Sequence, residues 1–235
     1  MLKSFIELNE ILRFMLGGKK MRKNYQEKLD ELKNEMLVMA GRVEEAIQKS
    51  IDALQEQDLR KAEEVIEDDD IIDEMEIKLE ELSTKLIALQ QPVAGDLRTI
   101  IVISKLATDL ERIGDHAVNI AEKVLEIGNE PLIKPLIDIP RMTEIVIRRL
   151  NDSLDAFIKF DSSAARTIAR EDEEVDKCDE SILKELLEMM AEDTSIVEQA
   201  TSLIFISRFL ERIGDHSTNI CERVIYMDTG ERETY

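Results

Sequence analysis

Apolar residues recur at helical spacing along most of this chain. Val43, Ile47, Ile51 and Leu54 lie three or four residues apart. This period is typical of an amphipathic helix and differs from the alternation of a strand. A longer stripe with the same period consists of Ile103, Leu106, Leu110, Ile113, Ala117, Ile120 and Val124. Each stripe predicts a helix that buries one face in a core.

The complete pattern predicts six helices, three in each half of the chain. They are expected at residues 24–56, 58–89, 96–127, 139–160, 161–190 and 195–227. Asp58, Asp96 and Asp161 stand at three of the predicted starts, where an Asp side chain caps the first backbone N–H groups. Long helices joined by short turns pack antiparallel, so we predict an all-α fold of two three-helix bundles.

The two halves of the chain are copies of one another. Residues 111–124 and 211–224 are identical at ten of 14 positions, at an offset of 100. A weaker match at an offset of 103 aligns Asp69 with Asp172 in the preceding helices. A duplication of this kind predicts two pseudo-symmetric bundles.

The repeat also divides the chain into segments. Pro131, Pro135 and Pro140 cannot continue a helix and mark the connection between the halves. Residues 17–21 read GGKKM, as a translated ribosome-binding site would, so one hypothesis makes Met21 the native start; the alternative is an ordinary N-terminal arm. The predicted segments are an N-terminal extension at 1–20, a first repeat at 21–128, a linker at 129–139, a second repeat at 140–228 and a tail at 229–235.

The composition of the chain narrows the classes of partner that it can bind. The chain has 52 acidic and 31 basic residues, a net charge of −21, which argues against nucleic acid or an anionic membrane surface as a partner and favours basic partners or metal cations. Hydrophobic residues make up 43%, enough for a core. No apolar run approaches the ~20 residues that span a bilayer. The two cysteines form no CxxC pair, as expected of a cytoplasmic protein.

The acidic residues of the repeat form a second stripe away from the predicted core. On a helical wheel, Glu111 and Asp115 share a face that is turned from the apolar stripe, and Asp69 and Asp73 do the same on the preceding helix. Like charges one turn apart destabilise a helix, and a bridging cation would offset this. The predicted metal ligands are Asp69, Asp73, Glu111, Asp115, Asp172, Asp176, Glu211 and Asp215. Weaker candidates are Glu76, Asn119, Glu122, Asp179, Asn219, Glu222, His116 and His216.

Carboxylate ligands favour iron, manganese, magnesium or calcium, and several ions could share one cluster. The competing interpretation is a solvated acidic face without metal. A redox protein of the ferritin-like type is a second alternative, although such proteins use Glu-x-x-His ligands inside the bundle. A purely structural helical spacer is a third. Gly114 and Gly214, in mid-helix, predict a close helix–helix approach.

Two strings resemble the PhoU family of phosphate-signalling regulators: QPVAGDLR at 91–98 and DLERIGDHAVNIA at 109–121. The resemblance covers residues 21–228 and implies tandem three-helix bundles without enzymatic activity. It implies a cytoplasmic negative regulator of the phosphate regulon and of phosphate uptake, linking the transporter ATPase subunit PstB to the sensor kinase PhoR. It also implies metal motifs at the eight carboxylates named above, filled in some members by multinuclear iron. A homo-oligomer, a dimer, is expected.

Overall fold

Seven α-helices form the described part of the protein, seen here in a computed structural model. The structure describes the backbone of residues 2–171 and 173–235, and side chains from residue 25 onward except residue 172. The helices are α1 (Leu2–Glu56), α2 (Leu59–Gln90), α3 (Ala94–Ile127), α4 (Asp138–Lys159), α5 (Ser162–Arg170), α6 (Glu173–Glu192) and α7 (Val197–Thr229). Helices α1–α3 form one bundle and α4–α7 the other. The predicted all-α pair of bundles is confirmed.

Two of the three predicted N-caps are correct. The Asp58 carboxylate accepts hydrogen bonds from the backbone N–H groups of Arg60 and Lys61, and Asp161 accepts one from Ala164. Asp96 is not a cap, because α3 begins two residues earlier and Asp96 lies within its first turn. There its negative charge still interacts favourably with the positive end of the helix dipole.

The second bundle differs from the prediction in one helix. The single helix expected at 161–190 is two helices, since α5 ends at Arg170 and α6 begins at Glu173. At the break, the Glu171 N–H donates to the Ile168 carbonyl three residues back, which tightens the last turn of α5. Ile168 and Val175 lie seven residues apart on the two sides of this point, at helical spacing, and both pack in the core, so the apolar pattern does not reveal the break.

The first helix is longer than the apolar pattern indicates. Its backbone is helical from Leu2, whereas the periodicity begins near Asn24. The side chains of residues 1–24 lie outside the described residues, and the hypothesis of a start at Met21 stays a prediction.

The predicted core stripe of α3 is buried along its whole length. Ile103 and Ile120 are fully enclosed. Their counterparts in α7, Leu203 and Ile220, are enclosed as well. Helix α3 packs against both α2 and α7, so one continuous core runs through both bundles. No helix of the described chain is long and apolar enough to cross a membrane.

The connection between α3 and α4 is held against α7 by one buried amide. Gln199 accepts a hydrogen bond from the Ile133 N–H at 2.7 Å, and its amide nitrogen donates to the Pro131 carbonyl at 3.2 Å. The predicted linker is therefore an ordered segment that joins the bundles in a defined geometry.

Candidate functional site

The first acidic cluster lies where α2 faces α3. We use this name for five residues: Asp69, Asp73, Glu76, Glu111 and Asp115. Their helices approach closely because Gly114 has no side chain: a Cβ there would lie 3.2 Å from Ile72 Cδ1 and 3.6 Å from Asp69 Oδ1. The predicted close approach at Gly114 is confirmed, and it places the carboxylates of the two helices side by side.

Burial and, after it, mutual repulsion raise the pKa values of carboxylates in this cluster. Burial, followed by repulsion from Asp73 and Asp115, raises the pKa of Asp69 to about 6. Burial, together with Asp115, Glu76 and Asp73, raises the pKa of Glu111 to about 7. Burial and Asp73 also raise the pKa of Asp115. The negative charge of the cluster is therefore incompletely compensated by the protein itself.

The donor chemistry of the first cluster suits a hard cation, but its side chains are not gathered around one point. Carboxylate oxygens are the ligands preferred by iron, manganese, magnesium and calcium. Among the described residues, no group of three or more His, Cys, Asp or Glu side chains is arranged to hold a metal ion. A cation would have to draw the carboxylates of the two helices inward by side-chain rotation.

The second acidic cluster occupies the equivalent place between α6 and α7. We use this name for Asp176, Asp179, Glu211 and Asp215; the remaining predicted ligand, Asp172, lies outside the described residues. Gly214 makes the same close approach as Gly114, since a Cβ there would lie 3.3 Å from Val175 Cγ1. Asp179 of α6 acts electrostatically on Glu211 of α7, so carboxylates of the two neighbouring helices lie near one another in this repeat as well.

Arginines accompany the carboxylates of the second cluster. Arg212 lies 3.7 Å from Glu211 and 3.9 Å from Asp215. Asp179 is 1% exposed, and its carboxylate is bound by Arg208 and Ser207. Burial and Asp215 raise the pKa of Glu211, while Arg212 and Arg208 oppose the rise.

Most of the weaker candidates have other roles. The Asn119 amide donates to the Asp115 backbone carbonyl at 2.7 Å, and Glu222 accepts a hydrogen bond from the Tyr235 N–H at 2.9 Å. Glu122 is exposed and Asn219 is half-buried.

The two histidines lie together where the bundles join. Their ring centroids are 5.8 Å apart, and His116 also stacks on Phe209 at 5.9 Å. Burial, with repulsion from His216 and Arg212, lowers the pKa of His116 to about 4. His116 is therefore neutral near pH 7, and its buried Nδ1 has no hydrogen-bond partner among the described residues.

Sequence reasoning missed Asp109, which is 2% exposed at this junction. Its carboxylate binds Arg223 of α7 and lies 3.4 Å from His216 Nδ1. Burial opposes ionisation, but the hydrogen bonds from His216 and Arg223 hold the pKa of Asp109 below its ordinary value. The sequence did contain a signal for this residue. Asp109 lies directly before Leu110 of the apolar stripe of α3, and the equivalent position of the second repeat holds an apolar residue, Phe209.

Comparison with known proteins agrees with this architecture. The PhoU domain model matches residues 36–124 and 139–224, one match in each repeat. The chain is 42% identical over 212 residues to a phosphate-specific transport system accessory protein PhoU homolog of Clostridium acetobutylicum, covering 90% of this chain and 97% of that protein. It is 36% identical over 207 residues to the accessory protein PhoU of Escherichia coli, covering 88% and 86%.

Solved structures show the same fold. The crystal structure of PhoU from Pseudomonas aeruginosa has a TM-score of 0.83 at 35% identity and covers 88% of this chain and 100% of that one. The phosphate transport system regulatory protein PhoU from Streptococcus pneumoniae has a TM-score of 0.84 at 33% identity, covering 90% and 100%.

Fold and site together define a tandem helical-bundle protein with an acidic cluster in each repeat. The chain belongs to the PhoU family, since the family model matches both repeats.

Proposed function

We propose that this protein is an accessory regulator of phosphate transport. The observation that carries the proposal is the match of the PhoU domain to both repeats, together with relatives named as accessory or regulatory proteins of phosphate-specific transport over nearly their whole length. The close structural likeness extends to the packing of the two bundles and not only to one of them.

The finer proposal is a cytoplasmic negative regulator of the phosphate regulon and of phosphate uptake. In it, the protein is an adaptor between the ATPase subunit PstB of the phosphate transporter and the sensor kinase PhoR. Two quasi-equivalent bundles joined through α3 and α7 support this role, because they offer two related surfaces held in a fixed relation.

Binding of purified full-length protein to PstB and to the cytoplasmic part of PhoR tests the adaptor role. We expect each partner to bind alone, and all three proteins to elute together from a size-exclusion column. Mutually exclusive binding would contradict an adaptor.

Light scattering during size-exclusion chromatography of the protein alone tests the proposed homodimer. A monomer at micromolar concentration would refute it.

A second proposal concerns the acidic clusters. Their carboxylates would bind cations, with multinuclear iron expected from the family resemblance and manganese, magnesium or calcium as other occupants. The raised pKa values of Asp69 and Glu111 support this for the first cluster, because a cation would relieve the repulsion that contributes to the rise. When bound, the metal would neutralise the facing surfaces of α2 and α3 and so hold these helices together.

Metal analysis of protein purified without chelator tests the second proposal. We expect metal in the wild-type protein and less metal in the double variant Asp115→Ala, Asp215→Ala, with unchanged helix content by circular dichroism. Wild-type protein without stoichiometric metal, and with the same thermal stability in EDTA, would refute metal binding and leave the adaptor proposal intact. The ferritin-like alternative is disfavoured because the carboxylates of the first cluster, such as the exposed Asp73, lie outside the bundle core.

A further inference from the structure

A cavity of about 380 Å³ lies at the junction of the two bundles, between α3, α7 and the segment that follows α7. We call this segment, residues 230–235, the tail. The volume of the cavity falls within the range of about 300–1,000 Å³ that is usual for sites of small organic ligands. The described residues that line it include none of the two acidic clusters, so the cavity is separate from the candidate site.

Basic side chains are prominent in the lining of this cavity, although the chain has a net charge of −21. Lys105 of α3, Arg223 of α7 and Arg232 of the tail line it together. Arg223 pairs with the buried Asp109. Lys105 and Arg232 form no ion pair with another residue that the structure describes. Two positive charges at the cavity therefore have no acidic partner in the described chain.

The acidic residues of the lining, Glu222 and Glu233, are already bound by donors of the protein. Arg166 of α5 donates to Glu233 at 2.8 Å, and the Tyr235 hydroxyl donates to the same carboxylate at 2.8 Å. These bonds lower the pKa of Glu233 to about 2. Glu222 accepts a hydrogen bond from the Tyr235 N–H at 2.9 Å. The two carboxylates therefore hold the tail in place and do not pair with the basic residues of the cavity.

The other side of the junction holds the equivalent residues of the opposite repeats. At the offset of 100, these are Phe205 for Lys105, Lys123 for Arg223 and Glu126 for Tyr226. There the Lys123 ammonium lies 5.3 Å from the Phe205 ring centroid and 2.6 Å from the Glu126 carboxylate. This group of three side chains is neutral as a whole, whereas its counterpart at the cavity carries two positive charges. The repeats have diverged so that only the cavity side of the junction offers excess positive charge.

An organic phosphate fits these observations. A phosphate monoester carries a charge of about −1.5 to −2 at neutral pH, which matches two unpaired cations better than a single carboxylate does. Lysine supplies a point charge, and arginine can donate two parallel hydrogen bonds to phosphate oxygens. The cavity is also lined by Ile101, Val102 and Tyr226, and this apolar wall favours a ligand with a carbon body over inorganic phosphate.

We propose that the cavity between α3, α7 and the tail binds an organic phosphate, with Lys105 and Arg232 at the phosphate group and Tyr226 beside the body of the ligand. Because Lys105 belongs to α3 and Arg232 to the tail, the bound phosphate connects the tail to the junction of the bundles. The inference rests neither on the proposed adaptor role nor on the proposed metal binding.

Calorimetric titration of the full-length protein tests the proposal, with adenosine 5′-monophosphate and glucose 6-phosphate as two organic phosphates of different body. We expect saturable binding of at least one of them. Lys105→Met and Arg232→Gln should each weaken that binding about tenfold, because each removes a charged contact to phosphate. Lys184→Met is the matched control, since it removes an exposed lysine of α6 outside the cavity and should bind like the wild type.

Two partial ligands and one further variant separate the contributions of charge and body. Inorganic phosphate lacks the body and adenosine lacks the charge, so each should bind more weakly than the organic phosphate. Lys105→Phe introduces the residue of the equivalent position, removes the charge and fills part of the cavity, and it should abolish binding. Lys105 and Arg232 are exposed, so we expect the variants to fold, and circular dichroism checks this.

The absence of binding of both organic phosphates at millimolar concentration would overturn the inference. Binding that is equally tight in the wild type, Lys105→Met and Arg232→Gln would overturn it as well, because the ligand would then lie elsewhere. Inorganic phosphate that binds as tightly as the organic phosphates would contradict the role of the apolar wall.

Discussion

Asp109 of α3 and Arg223 of α7 form a buried ion pair between the two bundles. His216 lies on the other oxygen of the same carboxylate, so two groups of the second repeat bind one group of the first. On the opposite side of the pseudo-twofold relation, the same place holds His116 against Phe209. The junction of the bundles is therefore polar on one side and aromatic on the other, although the helices that form it are repeats.

Removal of the Asp109 carboxylate should destabilise the protein strongly. We expect Asp109→Ala to lower the free energy of unfolding by ~3–5 kcal/mol, since it leaves the partly buried Arg223 without its counter-ion. Urea unfolding followed by circular dichroism measures this. Glu31→Ala, which breaks the exposed pair with Lys28, is the control and should change the free energy of unfolding far less, because solvent screens an exposed ion pair. Equal effects of both substitutions would contradict a structural role of the pair.

The first acidic cluster should make stability fall as pH rises. Folding raises the pKa of Asp69 from 3.8 to about 6 and that of Glu111 from 4.5 to about 7, so the folded protein binds more protons than the unfolded chain in this range. The stability that these two groups contribute is present below about pH 4 and is lost as pH rises to about 7. Because both carboxylates are partly exposed, screening by solvent limits the size of this change in stability.

The variant Glu111→Gln checks that assignment. In protein freed of metal, it should make the thermal-unfolding midpoint vary less with pH between pH 5 and 8 and should raise the midpoint at pH 8, because one unfavourable charge is absent. Asp109 contributes with the opposite sign, since its lowered pKa gives stability that is lost only in more acidic solution. A midpoint of the variant that varies with pH as strongly as that of the wild type would argue against repulsion in this cluster.

The close approach at Gly114 should resist a methyl group. At Gly41, where a Cβ would meet nothing within 4 Å, alanine should stabilise α1 by about 0.5–1 kcal/mol. Gly114→Ala should not give this stabilisation, because the new Cβ would lie 3.2 Å from Ile72 Cδ1 and crowd α2 against α3. Denaturant unfolding of both variants gives the comparison. Combining Gly114→Ala with Ile72→Val, which removes Cδ1, should recover part of the loss; no recovery would place the strain elsewhere.

Local signals make most of the fold predictable. The apolar stripe of α3 is periodic over more than twenty residues and is buried throughout, and the caps at Asp58 and Asp161 need only neighbouring backbone groups. The start of α3 does not follow from Asp96, because a helix start is also set by backbone geometry, here by the extended Val93 before Ala94.

The candidate site is predictable only in part. Repetition indicates that Asp69 and Glu111 belong to one face, and the structure places them in one cluster. Asp179 of α6 pairs with Arg208 of the next helix, and Asp109 of α3 pairs with Arg223 of α7, so no periodicity within one helix reveals either pair. Each pair is specific to its repeat, since Phe209 stands at the position equivalent to Asp109 and Thr108 at the position equivalent to Arg208.

Deletion of the gene tests the central claim most directly. Expression of a phosphate-regulon reporter would be measured in a deletion strain grown in high phosphate, with the full-length gene supplied in trans as the control. A negative regulator predicts high reporter expression despite plentiful phosphate, and repression restored by the complementing gene. Reporter expression that stays as low in the deletion strain as in the parent would contradict the account.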